Sequence, residues 1–372
     1  MKKNLTIILS GIHKAISFEW TAELLPKDKF NISFILMNPG DSEMEHYLMR
    51  NHITFKRITY HGKKDLLKAF IEIFFFLAKN KADFVHTHLF DANIAGLTAA
   101  YFCRVPKRVY SRHHAMDHHR FFPGAVKYDR FINRIATNII AVSENVRHIL
   151  ADYDKADPCK IYVIPHGFRF GDFDLLSEKR VAALKSKYET QGKFPVIGII
   201  SRYTIWKGVQ YIIPAFKKLL SQYPDALLVL ANAGGNYQAE IRKLLLEIPE
   251  KNFIEIPFEE DFIALYKLFD IFIHAPVDKE CEAFGQTYVE ALASGIPSVF
   301  TLSGIASDFI RHRHNAWVVD YKNSDQIYAG IVSLLTDKSL CDKIATNGKQ
   351  EVHKLFAIEK MIRGFEKVYL SE

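Results

Sequence analysis

The chain predicts an α/β fold of two doubly wound domains, each an open parallel sheet covered by helices. Three observations carry that expectation. The chain has 372 residues, more than one hydrophobic core usually organises. Short apolar runs alternate with helical stretches along its length, the rhythm of βαβ units. The runs are mostly uninterrupted and rich in Val and Ile, as strands buried on both faces are.

In order, the first half offers LTIILS (5–10), FNISFILM (30–37), DFVHTH (83–88), RVYSRH (108–113), NIIAVS (138–143) and KIYVIP (160–165). The second half offers VIGIIS (196–201), ALLVLA (226–231), FIEIP (253–257), IFIHA (271–275), PSVFT (297–301) and AWVVD (316–320). Between them, from about Gly167 to Gly192, the chain is charged and strand-free and reads as a connection. The expected domains are residues 1–168 and 193–354, with 169–192 as linker. In open α/β sheets ligands sit beyond the carboxyl ends of the strands. Two such domains facing each other make a cleft, so function is sought where strands end.

Composition narrows the class. Hydrophobic residues make up 49% and charged residues 24%, which suits a globular protein and argues against disorder. The net charge of +7 favours anionic partners. Basic residues are scattered and no nucleic-acid motif appears, so no nucleic-acid partner is expected. Cys103, Cys159, Cys281 and Cys341 lie far apart without a C-x-x-C pair, which fits a reducing cytoplasm. The opening MKKNLTIILSG has the lysines of a signal peptide, but its apolar run, Leu5–Leu9, is shorter than the ~7–15 residues such a segment needs. No run approaches the ~18 apolar residues of a membrane-spanning helix.

The strongest signal is ECEAFGQTYVEALASGIP, residues 280–297. It follows the strand IFIHA, and the expected helix from about Thr287 to Ser294 stops at Gly295 with Pro297 beyond. Gly285 permits close backbone approach, and the helix start offers free N–H groups and a positive dipole end, an anion site of the kind phosphates use. One turn further in, Glu290 is placed to accept hydrogen bonds from sugar or ribose hydroxyls.

This string, E-x-F-G-x-x-x-x-E followed by A-L-A-x-G-x-P, resembles the signature of glycosyltransferase family 4, retaining enzymes of the GT-B fold with two facing Rossmann-like domains. The resemblance implies transfer of a sugar from a nucleotide diphosphate, UDP preferred over GDP on frequency alone. The acceptor would be a glycan or lipid-linked saccharide in cell-surface polysaccharide or lipopolysaccharide assembly. Glu290 would bind the ribose, Glu282 would contact the donor sugar, and the amides around Phe284, Gly285, Gln286 and Thr287 would hold the diphosphate or sugar. SRYTIWKG (201–208) resembles the family's G-R-x-x-x-x-K-G, with Ser201 in place of the usual glycine; Arg202 and Lys207 would grip the diphosphate. Pro257 and Phe258 would lie near the nucleobase. A final helix, about 355–372, would pack back on the first domain. The family generally needs no metal, and no cofactor besides the nucleotide sugar is expected.

The segments DFVHTHLFDANIAG, IIAVSENVRHIL and IYVIPHGF resemble strands of the family's first domain. In SRHHAMDHHR, His113 best matches a histidine that points into the cleft and contacts donor sugar or phosphate or orients the acceptor, with His114 the alternative one register away. His118 and His119 read as exposed loop residues or acceptor contacts. The histidine spacing fits no zinc pattern. Two loops depart from the family. The first strand leads into LSGIHKAIS, where Gly11 stands alone with His13 and Lys14 nearby, and the loop after PSVFT reads SGIASD, with Ser303, Gly304 and Asp308.

Residues 63–81, KKDLLKAFIEIFFFLAKNK, predict a helix with lysines flanking an apolar centre. Leu67, Phe70, Ile71, Phe74 and Leu77 form the face expected to pack on the sheet; contact with an anionic membrane surface on the cytoplasmic side is the alternative. Two other functions remain open: a nucleotide-sugar isomerase such as a UDP-sugar 2-epimerase, and a non-catalytic homologue that binds nucleotide or glycan.

Overall fold

The computed structural model describes residues 2–371. They form two compact units: the chain up to Phe168 joined by the segment from Ile358 onward, and Arg169–Ala357. The first unit is a seven-stranded sheet of β1 (Lys3–Ser10), β2 (Phe30–Asn38), β3 (Thr54–Thr59), β4 (Phe84–His88), β5 (Lys107–Arg112), β6 (Asn138–Ala141) and β7 (Ile161–Val163), in the order β3-β2-β1-β4-β5-β6-β7. The second is a six-stranded sheet of β8 (Val196–Ile200), β9 (Leu227–Ala231), β10 (Phe253–Ile256), β11 (Ile271–His274), β12 (Ser298–Phe300) and β13 (Trp317–Val318), in the order β10-β9-β8-β11-β12-β13. Every pairing is parallel. Helices follow the strands, as parallel connections require.

The apolar strand runs are the cores. Leu5, Ile7, Ile8 and Leu9 of β1 and Leu227–Leu230 of β9 are almost wholly enclosed. One strand has no counterpart among the sequence expectations. β3, TFKRIT, pairs only with β2 at the sheet edge, and its Lys56 and Arg57 reach Glu72 and Glu45. A charged edge strand blunts open pairing groups, and that charge hid it among the apolar runs. Residues 169–192 are also more than a connection. They contain the helices Gly171–Asp174 and Glu178–Lys187, and Arg180 and Lys187 bind Asp261 and Glu259 of the second unit.

The helix Leu66–Lys79 turns inward a face that only partly overlaps the one expected. Ala69, Ile73 and Leu77 are buried and Phe70 and Phe74 half-buried, whereas Leu67 and Phe75 are 70% and 65% exposed and Ile71 is exposed too. Both faces of this helix are apolar, so hydrophobicity alone did not say which one meets the sheet.

The helix Ile358–Leu370 packs on the first sheet. The Tyr369 hydroxyl lies 2.6 Å from His86 Nδ1, and Phe365 meets the His86 ring edge-on. His86 is fully buried and its Nε2 is 2.9 Å from Ser111 Oγ, so both ring nitrogens are satisfied inside the core. Tyr369→Phe would leave one of them without a partner. The expected cost is about 1–3 kcal/mol of stability, read as a lower urea midpoint with an unchanged slope.

Candidate functional site

The second sheet reverses its strand order between β8 and β11, and a crevice at such a switch point is where open α/β sheets bind ligands. The loops leaving these two strands carry most of the residues singled out in the sequence. β8 runs into Ser201 and Arg202, then a 3-10 turn Ile205–Lys207. β11 runs into a loop that ends at Gly285 and the helix Gln286–Ala293. The loops touch closely at Gly208, whose φ is +75° and where a Cβ would come within 1.8 Å of the Ala275 carbonyl oxygen. Only glycine fits there.

Glu282 is the focus of this arrangement. It is 8% exposed, Lys207 Nζ donates to its Oε1 at 2.5 Å, and His274 Nε2 reaches the same oxygen at 3.2 Å. Burial raises its carboxyl, but the Lys207 charge and the His274 and Lys207 hydrogen bonds outweigh burial and hold it at about 2. Its backbone N–H donates to Ser303 Oγ at 3.1 Å, and the Ser303 hydroxyl donates to the Lys279 carbonyl at 3.2 Å. Gly304, with φ +56°, lies where a Cβ would strike the Phe284 carbonyl and Glu282. The SGIASD loop is thus the wall that shapes the glutamate loop.

Glu290, on the helix, is half-buried. Tyr266, itself fully buried, donates its hydroxyl to Glu290 Oε2 at 2.9 Å. Burial pushes the Glu290 carboxyl up to about 7, against the lowering effect of that hydrogen bond. Gly285 (φ +85°) starts the helix without a side-chain cap, Gln286 is exposed, and Thr287 Oγ1 is buried without a hydrogen-bond partner. Phe284 is a packing residue, 3% exposed and edge-on to Phe356. Arg202 is exposed just past β8. Pro257 and Phe258 are exposed after β10, which β9 separates from β8. His274 and Tyr266 were not singled out in the sequence, and Ser303 was named only as part of a departing loop, because their contacts to the glutamates come from separate strands and loops.

The first sheet reverses between β1 and β4. Gly11 ends β1 with φ +66°, and Asn38 clasps the following loop by accepting from Ile12 N at 3.0 Å and donating to Ile12 O at 2.7 Å. Lys14 pairs with Glu43 at 2.9 Å. Past β5, His113 Nε2 lies 3.0 Å from His88 Nδ1 and its ring stacks on His166. These three, with Ser111, Phe18 and Phe365, line a small cavity.

The neighbouring histidines do different work, and His118 and His119 are not the exposed loop residues expected. They sit on the helix Asp117–Phe121, His118 Nδ1 2.6 Å from Asp129 and His119 Nε2 2.7 Å from Asp154. Both carboxylates flank Arg112, at 3.0 and 3.1 Å, and all three charged side chains are buried. His114 is 3.6 Å from the same Asp129. His114, His118 and Asp129 are grouped closely enough to hold a cation, but the Arg112 guanidinium already supplies positive charge to that carboxylate.

Residues 181–351 match the family model described as Glycosyl transferases group 1, and residues 21–169 match that described as Glycosyltransferase Family 4. The chain is 26% identical over 313 residues to the capsular polysaccharide biosynthesis glycosyltransferase CapM of Staphylococcus aureus, covering 82% of this chain and 80% of that one. It is 23% identical over 380 residues to the UDP-Gal:alpha-D-GlcNAc-diphosphoundecaprenol alpha-1,3-galactosyltransferase of Escherichia coli, covering 98% and 94%. The fold is shared with Anabaena Alr3699/HepE, solved in complex with UDP and glucose, at a TM-score of 0.85, 20% identity and full coverage of both chains.

The buried histidines make the first unit sensitive to acid. Burial, reinforced by nearby histidines, holds His86 down at about 3 and His88 well below 6.5. The unfolded chain protonates these rings near pH 6.5 while the folded chain keeps them neutral, so unfolding takes up protons and stability falls as pH drops below that value. Each is expected to remove up to about 1.4 kcal/mol per pH unit there. Denaturant titrations from about pH 7.5 down to 5 should show this fall, and His88→Phe should reduce its slope.

Proposed function

We propose, from the premise that the chain belongs to glycosyltransferase family 4, that it is a retaining enzyme that moves a sugar from a nucleotide diphosphate, UDP first among the candidates, to a glycan or lipid-linked saccharide acceptor in cell-surface polysaccharide synthesis. The observation that carries this reading is the buried, ionised Glu282 clasped by Lys207 beside the uncapped start of the helix Gln286–Ala293. A donor diphosphate finds there a cation and a helix N-terminus, and its sugar finds a carboxylate. The UDP preference draws support from the UDP-Gal named for the Escherichia coli relative and the UDP bound to the Anabaena protein.

The reaction breaks the bond between the sugar's anomeric carbon and the phosphate oxygen and forms one from that carbon to the acceptor oxygen on the same face. The acceptor's proton passes to the departing diphosphate. Arg202, Lys207 and the amides from Gly285 to Thr287 stabilise the charge growing on the leaving group, and no metal is required for that balance. Glu290 accepts hydrogen bonds from the ribose, and Phe258 and Pro257 flank the base. His114 and His118 serve the acceptor side.

Calorimetric titration of UDP, GDP, ADP and CDP without metal tests the donor site. One nucleotide should bind selectively, and Glu290→Ala should weaken it about tenfold or more, the loss of a hydrogen bond to a charged group. Because ribose hydroxyls donate to the ionised carboxylate, affinity should rise with pH through about 7 and become flat in Glu290→Gln. Binding of none of the four would remove the donor-site reading. Turnover of a nucleotide sugar without release of nucleotide diphosphate would favour an isomerase instead.

The exposed face of the helix Leu66–Lys79 is assigned to an anionic bilayer. Leu67, Ile71, Phe75 and the nearby Phe102 are exposed apolar side chains, with exposed Lys64, Lys68, Lys79 and Lys81 around them. Among the described residues no helix is long and apolar enough to cross a membrane, so contact would be peripheral. The protein should float with phosphatidylglycerol vesicles and not with phosphatidylcholine ones, and Leu67→Ser with Phe75→Ser should abolish flotation.

A further inference from the structure

Lys207 and His274, which both reach the Glu282 carboxylate, differ in mobility. Lys207 reaches it from the 3-10 turn Ile205–Lys207 on a flexible stem, with its side chain 19% exposed. His274 reaches it from the last residue of β11. That ring is 1% exposed and locked in place. Tyr288 meets it edge-on at 4.7 Å and is itself tied through its hydroxyl to the Thr301 carbonyl at 2.9 Å, while the His274 carbonyl accepts from Thr301 N at 3.3 Å.

The tautomer follows from the chemistry of the pair. An ionised carboxylate only accepts, so His274 Nε2 must carry the hydrogen. Its Nδ1 is then the bare nitrogen, and it is buried with no hydrogen-bond partner. A buried histidine with one unmet nitrogen is costly to keep. Its Nε2 hydrogen bond goes to the carboxylate placed at the donor sugar.

A donor diphosphate brings negative charge to the part of this clasp that is carried on a flexible stem. Its oxygens compete with Glu282 for the Lys207 ammonium, and Glu282 would lose its cation at the moment its position matters. We propose that His274 is a positioning residue that keeps Glu282 oriented toward the donor sugar when the diphosphate draws Lys207 away. This rests on the donor-site reading given above. Lys207 thus serves the phosphates and His274 serves the sugar end through Glu282, so nucleotide and sugar are held by separable contacts.

The side-chain amide of Gln places its nitrogen near where His Nε2 stands, and that of Asn near Nδ1, which separates the hydrogen bond from mere space filling. The test is calorimetric titration of UDP, UDP-glucose, UDP-galactose and UDP-N-acetylglucosamine into wild type, His274→Gln, His274→Asn and His274→Leu. Unfolding curves establish that each variant is folded. The sugar nucleotide that wild type binds best should bind about 10- to 100-fold more weakly to His274→Asn and His274→Leu, the loss of a hydrogen bond to a charged group, with His274→Gln near wild type and UDP itself within about twofold throughout. Equal weakening of UDP and the sugar nucleotide, or undiminished sugar-nucleotide binding by His274→Leu, would overturn the proposal and leave the donor site standing. Wild type that binds none of the four would remove the donor-site reading and this role with it. Independently of any ligand, nitrogen-15 spectra of the free protein near neutral pH should show His274 protonated at Nε2; protonation at Nδ1 would overturn the assignment.

Discussion

Glu282 is ionised in a place where an isolated carboxylate would take up a proton. Burial penalises its charge, and the Lys207 ammonium and the His274 ring reverse the balance. A buried charge of this kind constrains everything around it. If either partner were removed, the charge left on Glu282 would be less fully compensated. The loops after β8 and β11 are therefore bound to each other through a side-chain charge as well as through the close approach at Gly208.

The parallel sheets determine where such a clasp can form. Strand order reverses between β8 and β11 and between β1 and β4, and such switch points are where open α/β sheets place their ligand sites. His274 stands at the end of β11 with its neighbours fixed by the sheet, whereas Lys207 and Glu282 lie on the loops beyond. Rigid strands aim side chains with little freedom, and loops can adjust to a ligand. The same division recurs in the first unit, where His86 and His88 belong to β4 and Gly11 begins a loop.

How much of this could be read from the sequence depended on whether the determinants were adjacent along the chain. The strands of both cores were legible because a strand covered on two faces must be apolar throughout. β3 was not, because an edge strand faces water and carries Lys56 and Arg57. The string from Glu280 to Pro297 was legible because a strand, a loop and a helix start follow one another in a fixed spacing. The partners that tune its glutamates were not: His274 is 8 residues before Glu282, Tyr266 is 24 before Glu290, and Ser303 is 21 after Glu282. Helix Leu66–Lys79 failed for a different reason. Its sequence is apolar on two faces, and only the shape of the neighbouring sheet chose between them.

The run His113–His119 shows most clearly that residue type does not determine role. Within seven positions, one histidine is stacked among neutral rings while others lie against carboxylates. The difference is made by residues far along the chain, Asp129 and Asp154, which arrive 11 and 35 positions after the histidines they meet. Arg112 requires those carboxylates, since a guanidinium with 1% exposure has no water to solvate it. Two carboxylates exceed what one arginine neutralises, and the histidines supply donors to the remaining oxygens. The loop that carries His113 and His114 is thereby fixed at its far end by ionic contacts rather than by apolar packing. Apolar contacts tolerate small slides, whereas short charged hydrogen bonds set direction as well as distance.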